Sequence, residues 1–232
     1  MILQNNKKLK LILKISLPIG ILFLLTACSD EEIDSNSIIQ CDSIIEKNYY
    51  EICYDYNLKG ALFVSYSLNG SLVDNPNITQ RPPFYKESTI PKEYQSDYYD
   101  YTGSGYDRGH LANDASFDYS DSSLTSVYTM ANIIPQDSDV NRYSWIDTEN
   151  LEREKAKLYQ DVDVVIGIKY SDNPLTIGEN EIAVPFGFYK KISNLEHNYE
   201  ECFYYENIPY DIESDTILEH KTSCSSLNFD YY

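Results

Sequence analysis

Between Asp107 and Arg153 the chain gathers side chains suited to moving protons and neutralising anions. His110 closes the run Asp107-Arg108-Gly109-His110 and is one of three histidines in 232 residues. An imidazole near its reference pKa of about 6.5 takes a proton from water at neutral pH, so His110 is a candidate general base. A lone histidine is more often structural. Here Gly109 lets the backbone come close to another group, and Asn132, Gln136, Asn141, Glu149 and Arg153 follow, polar side chains that a core would not favour.

Asn141, Trp145, Glu149 and Arg153 are each four residues apart, which on a helix makes one slowly drifting stripe. A stripe in which Trp145 packs and the three polar residues are solvated is the plainer alternative. Along an α-helix Asn141 and Glu149 stand about 12 Å apart, so both bind one ion directly only if the chain bends. A magnesium ion keeps most of its waters. An ion with one protein ligand and mostly waters, some of them held by Glu149 through hydrogen bonds, is chemically reasonable. Arg153, one turn on, is placed to meet a phosphate.

The elements that must hold these residues are legible in outline. Tyr49–Leu72 reads as paired strands, with a hairpin turn at Asn69-Gly70. Residues 75–94 read as a loop with four prolines and Arg81, which alone would pass for a surface arginine. Ser126–Ile134 reads as a strand ended by Pro135, and a helix is expected from near Asp139 to about Tyr159. Asp161–Tyr170 reads as a buried strand, and Glu181–Ile192 as another. No internal repeat and no second domain is evident.

The run DRGH, then NIIPQ, then DVN, then W-x-x-x-E-x-x-x-R resembles the DNA/RNA non-specific endonuclease family of the ββα-metal (His-Me finger) superfamily. The likeness extends from about Tyr49 to Lys191. It implies an α+β fold, a central antiparallel sheet flanked by helices, with the ββα-metal element from about Arg108 to Tyr159. It implies metal-dependent hydrolysis of phosphodiesters in DNA and RNA, with Mg2+ as cofactor and Mn2+ as a substitute. His110 matches the general base, Asn141 the direct metal ligand, and Glu149 the carboxylate that orients waters on the ion. Arg108, Arg153 and, across a loop, Arg81 match catalytic arginines that bind the substrate phosphate. Asn132 and Gln136 match supporting residues, while Asp107 is read as structural, pairing with an arginine or capping a turn. Asn113 stands where the family often has proline, and Tyr128 where some members carry asparagine.

The whole chain adds one conflict and one address. The net charge is -19, whereas nucleic-acid binding usually rests on a basic footprint. Residues 107–159 themselves carry ten acidic and five basic side chains. A divalent cation would offset this locally; the 23 tyrosines either stack on bases or reflect surface strands. Residues 1–27 read as a signal peptide, with Lys7, Lys8, Lys10 and Lys14 ahead of a short apolar run. The closing LTAC resembles the lipobox of bacterial lipoproteins, which implies lipid on Cys28, a tether over residues 28–40, and a catalytic domain over 41–232. The expected product is exported and membrane-anchored, facing the periplasm or the cell exterior. Four further cysteines allow three pairings. Cys41–Cys53 and Cys202–Cys224 are favoured because each closes a short loop, and zinc is disfavoured by the spacing. A non-catalytic surface lipoprotein that binds nucleic acid or a protein partner on the same fold is the alternative.

Overall fold

The computed structural model describes residues 40–227. The expected signal peptide, Cys28 and nearly all of the tether lie outside the described residues. Among those described, no helix is long and apolar enough to cross a membrane.

The centre is a seven-stranded sheet, antiparallel throughout, in the order β1-β2-β3-β6-β9-β10-β11. Its strands are β1 (Ser43–Glu46), β2 (Glu51–Asp55), β3 (Gly60–Asn69), β6 (Asp161–Lys169), β9 (Gly187–Asn194), β10 (Tyr199–Glu206) and β11 (Lys221–Thr222). β4 (Asp107–His110) and β5 (Ile133–Gln136) form a separate pair, and β7 (Thr176–Ile177) and β8 (Ile182–Ala183) another. Three helices, α1 (Asp114–Phe117), α2 (Asp121–Val127) and α3 (Trp145–Tyr159), complete the framework. This is the expected α+β fold with a central antiparallel sheet.

Alternation explains the sheet's buried face. Val162, Val164 and Ile166 of β6 are fully buried, with the intervening positions more exposed. α3 packs against β3, β6 and β9. Its first residue, Trp145, is buried edge-on to Phe188 at 6.0 Å and Tyr205 at 5.5 Å. Both expected disulfides are present, with Cα–Cα separations of 5.3 Å for Cys41–Cys53 and 5.2 Å for Cys202–Cys224. They fasten the two outer ends of the sheet, where unpaired strands are most easily lost.

Three sequence expectations need correction. Asn69-Gly70 makes no hairpin, because β3 pairs with β2 and β6 instead. Gly70 is there for close approach: its amide bonds Gln160 O at 2.8 Å, and any side chain would run into the Ala156 carbonyl at the end of α3. Ser126–Ile134 is not one strand. Ser120 caps α2 through its side chain, so the chain is helical to Val127, and strand begins only at Ile133. Pro135 lies inside β5, opposite Arg108, tolerated because β5 pairs on one side only. Finally, Glu181–Ile192 is broken at Val184-Pro185-Phe186 into β8 and β9.

Candidate active site

The strand pair β4–β5 and the helix α3 bring most of the sequence candidates into one neighbourhood. His110 ends β4, opposite Ile133. It is half-buried against two rings, Tyr128 at 4.9 Å and Phe84 at 5.5 Å. Its Nε2 is enclosed and has no hydrogen-bond partner. Loss of hydration lowers the imidazole pKa to about 4, with Asp114 pulling it up and Arg81 pushing it down. The ring is therefore neutral at physiological pH, as a base must be. Arg81, whose alignment crossed a loop, belongs to this neighbourhood. Its Nε lies 3.0 Å from Asp114 Oδ2 and its Nη2 3.6 Å from Asp118. Asp114 also accepts from the Tyr128 hydroxyl at 2.9 Å.

Asp107 orients the residue expected to hold the metal. Its Oδ2 accepts from Asn141 Nδ2 at 3.0 Å, and its two oxygens take Arg142 in a bidentate pair, both bonds 2.7 Å. An ionised carboxylate only accepts, so the Asn141 amide nitrogen must face it and the carbonyl oxygen is left for a cation. The structural reading of Asp107 holds, with Arg142 as its arginine. These partners keep its carboxyl below the usual range, the Arg142 hydrogen bond first. Asn141 sits in a π-helical turn, Val140–Ser144, that precedes α3. The helix begins where expected, with a wider first turn. Such turns are frequent at functional sites. Among the described residues no cluster of three or more His, Cys, Asp or Glu offers a metal site. An ion with one carboxamide ligand and water is the arrangement these donors fit.

Asn132 and Gln136 support the strand pair. Asn132 is fully buried; it accepts from Ala112 N at 2.9 Å and donates to Ala112 O and Val127 O at 2.9 and 2.8 Å. It thereby staples the segment just after His110. Gln136 packs beneath Gly109 so tightly that any side chain at 109 would collide with it, which is why glycine precedes His110. Gln136 Oε1 is a further buried acceptor without a partner.

Glu149 and Arg153 stand on α3. Burial raises the Glu149 carboxyl to about 7, with Lys190 opposing and Glu152 reinforcing the shift. The Asp114 charge acts on both groups, opposing the fall at His110 and adding to the rise at Glu149. Arg153 is aimed by two amides: Nη1 donates to Asn113 Oδ1 at 3.1 Å and Nη2 to Asn150 Oδ1 at 2.6 Å. Arg108 turns elsewhere. Its guanidinium lies 3.7 Å from the centre of the Tyr98 ring and donates to Tyr98 O at 3.0 Å.

Sequence reasoning missed the supports. Glu152, fully buried, accepts from Ser116 Oγ at 2.8 Å, Tyr66 OH at 3.0 Å and Asn113 Nδ2 at 2.5 Å, and pairs with the equally buried Lys190 at 2.8 Å. Asn113 also caps α1 through Ser116 N. The expectation of proline at this position was the one sequence signal that drew attention to it.

A family model for DNA/RNA non-specific endonucleases matches residues 31–230. The chain belongs to that family. Bovine mitochondrial endonuclease G is 29% identical over 155 residues, 61% of this chain and 50% of its own length. Human mitochondrial nuclease EXOG is 33% identical over 125 residues, 47% of this chain and 32% of its own. Nuclease C1 of Cunninghamella echinulata is 28% identical over 177 residues, 68% and 70% of the two chains. The chain thus spans about half the length of the first curated relatives it matches. A crystal structure of EndoG with EndoGI shares the fold, with a TM-score of 0.74 and 24% identity over 83% of this chain and 88% of that one. In this chain Asn113 accepts a hydrogen bond from Arg153, and the Tyr128 ring lies edge-on to His110.

Proposed function

We propose that the protein is a magnesium-dependent, sequence-non-specific endonuclease acting on DNA and RNA, exported and anchored through lipid on Cys28. The observation that carries the catalytic reading is the pairing of two prepared groups. His110 is held neutral with a bare ring nitrogen, and Asn141 is turned by Asp107 to present its carbonyl oxygen.

His110 takes a proton from water as the water oxygen attacks phosphorus in line. The bond from phosphorus to the 3′ oxygen breaks, leaving a 5′ phosphate, the product the family resemblance implies. Arg153, fixed by Asn113 and Asn150, offsets the negative charge that develops on the phosphate. A magnesium ion beside Asn141 and Glu149 would supply further positive charge at the phosphate and departing oxygen; manganese is the expected substitute. None of these groups reads a base edge, which supports sequence-independent cutting.

Purified protein incubated with plasmid DNA and with RNA tests this directly. Both should be cut with magnesium or manganese and spared with EDTA. Binding without cutting would favour a non-catalytic lipoprotein instead. The anchor rests on LTAC after a short apolar run, and a second acyl chain is what makes such an anchor stable. Wild type should incorporate labelled fatty acid and enter detergent, and Cys28→Ala should do neither. Equal labelling of both would exclude lipidation at Cys28.

A further inference from the structure

A recess of about 600 Å³ opens beside the catalytic histidine, lined chiefly by Phe84, Tyr85, Tyr98, Tyr99 and Met130. That volume is in the range of small-ligand pockets. Phe84 links it to the candidate active site: the centre of its ring lies 5.5 Å from that of His110 and 5.9 Å from that of Tyr98. Tyr98 also carries the Arg108 guanidinium at 3.7 Å. Tyr98 and Tyr99 are 41% and 77% exposed, large aromatic surface left in water at the edge of the site. Lys86 and Asp97 pair at the rim, 2.5 Å apart. A larger neighbouring recess, about 840 Å³, includes Asp97, Asp100 and Glu179 in its lining, which suits a polyanion poorly.

We propose that the aromatic recess is a nucleobase-stacking subsite for an unpaired nucleotide flanking the scissile phosphate. The proposal rests on the nuclease reading above and adds the substrate class. Two arguments favour a base over any other occupant. Arg108 on the Tyr98 ring sets a cation beside an aromatic face, and a nucleotide offers an anion beside an aromatic face. The chain's net charge of -19 also weakens the general attraction to phosphates on which nucleic-acid binding usually rests. Stacking supplies affinity that does not depend on the protein's charge, and it accepts every base because every base has a π face. A base in a duplex must first leave its stack, so single strands and unpaired segments should be the better substrates.

The test uses end-labelled single strands with one tetrahydrofuran abasic analogue placed at successive positions, cut by the full protein in magnesium. For wild type, cutting should fall about ten-fold at one fixed offset from the missing base, through KM rather than kcat. Tyr99→Ala should lose about the same factor on the intact strand and no longer sense the missing base. Tyr99→Phe should behave as wild type. Cutting that is indifferent to the abasic position in wild type overturns the subsite while leaving the nuclease reading intact. So does a Tyr99→Ala protein that responds to the missing base as wild type does. No cutting of any strand removes the nuclease reading, and the subsite with it.

Discussion

Glu149 and Glu152 stand one turn apart on α3, and their surroundings could hardly differ more. Glu152 is fully buried, yet three side-chain donors and the Lys190 ammonium satisfy it. Glu149 is partly exposed and desolvated without an equivalent set of donors, and its carboxyl is raised to about 7. A carboxylate buried with all its partners organises a fold, whereas one desolvated without them is a candidate for binding or catalysis. The comparison marks Glu152 as a structural carboxylate and Glu149 as the candidate for chemistry, though a sequence shows only two glutamates on one helix.

Breaking the structural side should have the largest effect. Glu152→Ala strands the Lys190 ammonium in the core and should cost roughly 3–5 kcal/mol in denaturant unfolding. The double change Glu152→Met with Lys190→Met should recover much of that loss, since neither charge then remains unpaired. A loss below about 1 kcal/mol for Glu152→Ala would erase the distinction. Removing the Cys202–Cys224 bridge by a double change to serine should cost somewhat less, roughly 2–4 kcal/mol, and leave the active-site contacts in place. Equal stability of the bridged and serine forms would mean the bridge constrains little.

The functional side should respond with the opposite sign. In EDTA, the Glu149 carboxyl ionises more readily in the unfolded chain, at its ordinary value of 4.5, than in the folded protein, at about 7. Folding therefore favours its neutral form, and that contribution is full below pH 4.5 and lost as pH rises through about 7. Glu149→Gln should stabilise the metal-free protein above pH 7, by about 1–3 kcal/mol, while lowering the rate and raising the magnesium requirement. Unfolding curves with and without the substitution at pH 5 and 8 decide the matter. A destabilised Glu149→Gln protein at pH 8 would place Glu149 in the same class as Glu152.

The uneven legibility of the site follows from the same physics. DRGH, Asn141, Glu149 and Arg153 were readable because their chemistry is written in residue type and local spacing. The long strand β6 and helix α3 were readable from apolar alternation and helix formers. The Asn69-Gly70 turn was misread because a local turn signal was outweighed by a distant contact with the end of α3. Arg142 and Lys190 escaped notice, and Asn113 was seen without its role, because each acts across 34 or more residues of sequence and no local pattern marks such a partner. Tyr128, expected only as a residue standing where some family members carry asparagine, proves to be a wall of the His110 site.

The central claim is that His110 is the base, already neutral before substrate arrives. The direct measurement compares His110→Ala with wild type in the same magnesium buffer, across pH 5 to 8, after confirming that both fold. His110→Ala should be slower by roughly 10²–10⁴-fold. The imidazole's pKa of about 4 means that its protonation should contribute no rise in wild-type rate across that range. Equal cutting by the two proteins would contradict the account. So would a histidine-dependent inflection near pH 6.5, present in wild type and absent from His110→Ala.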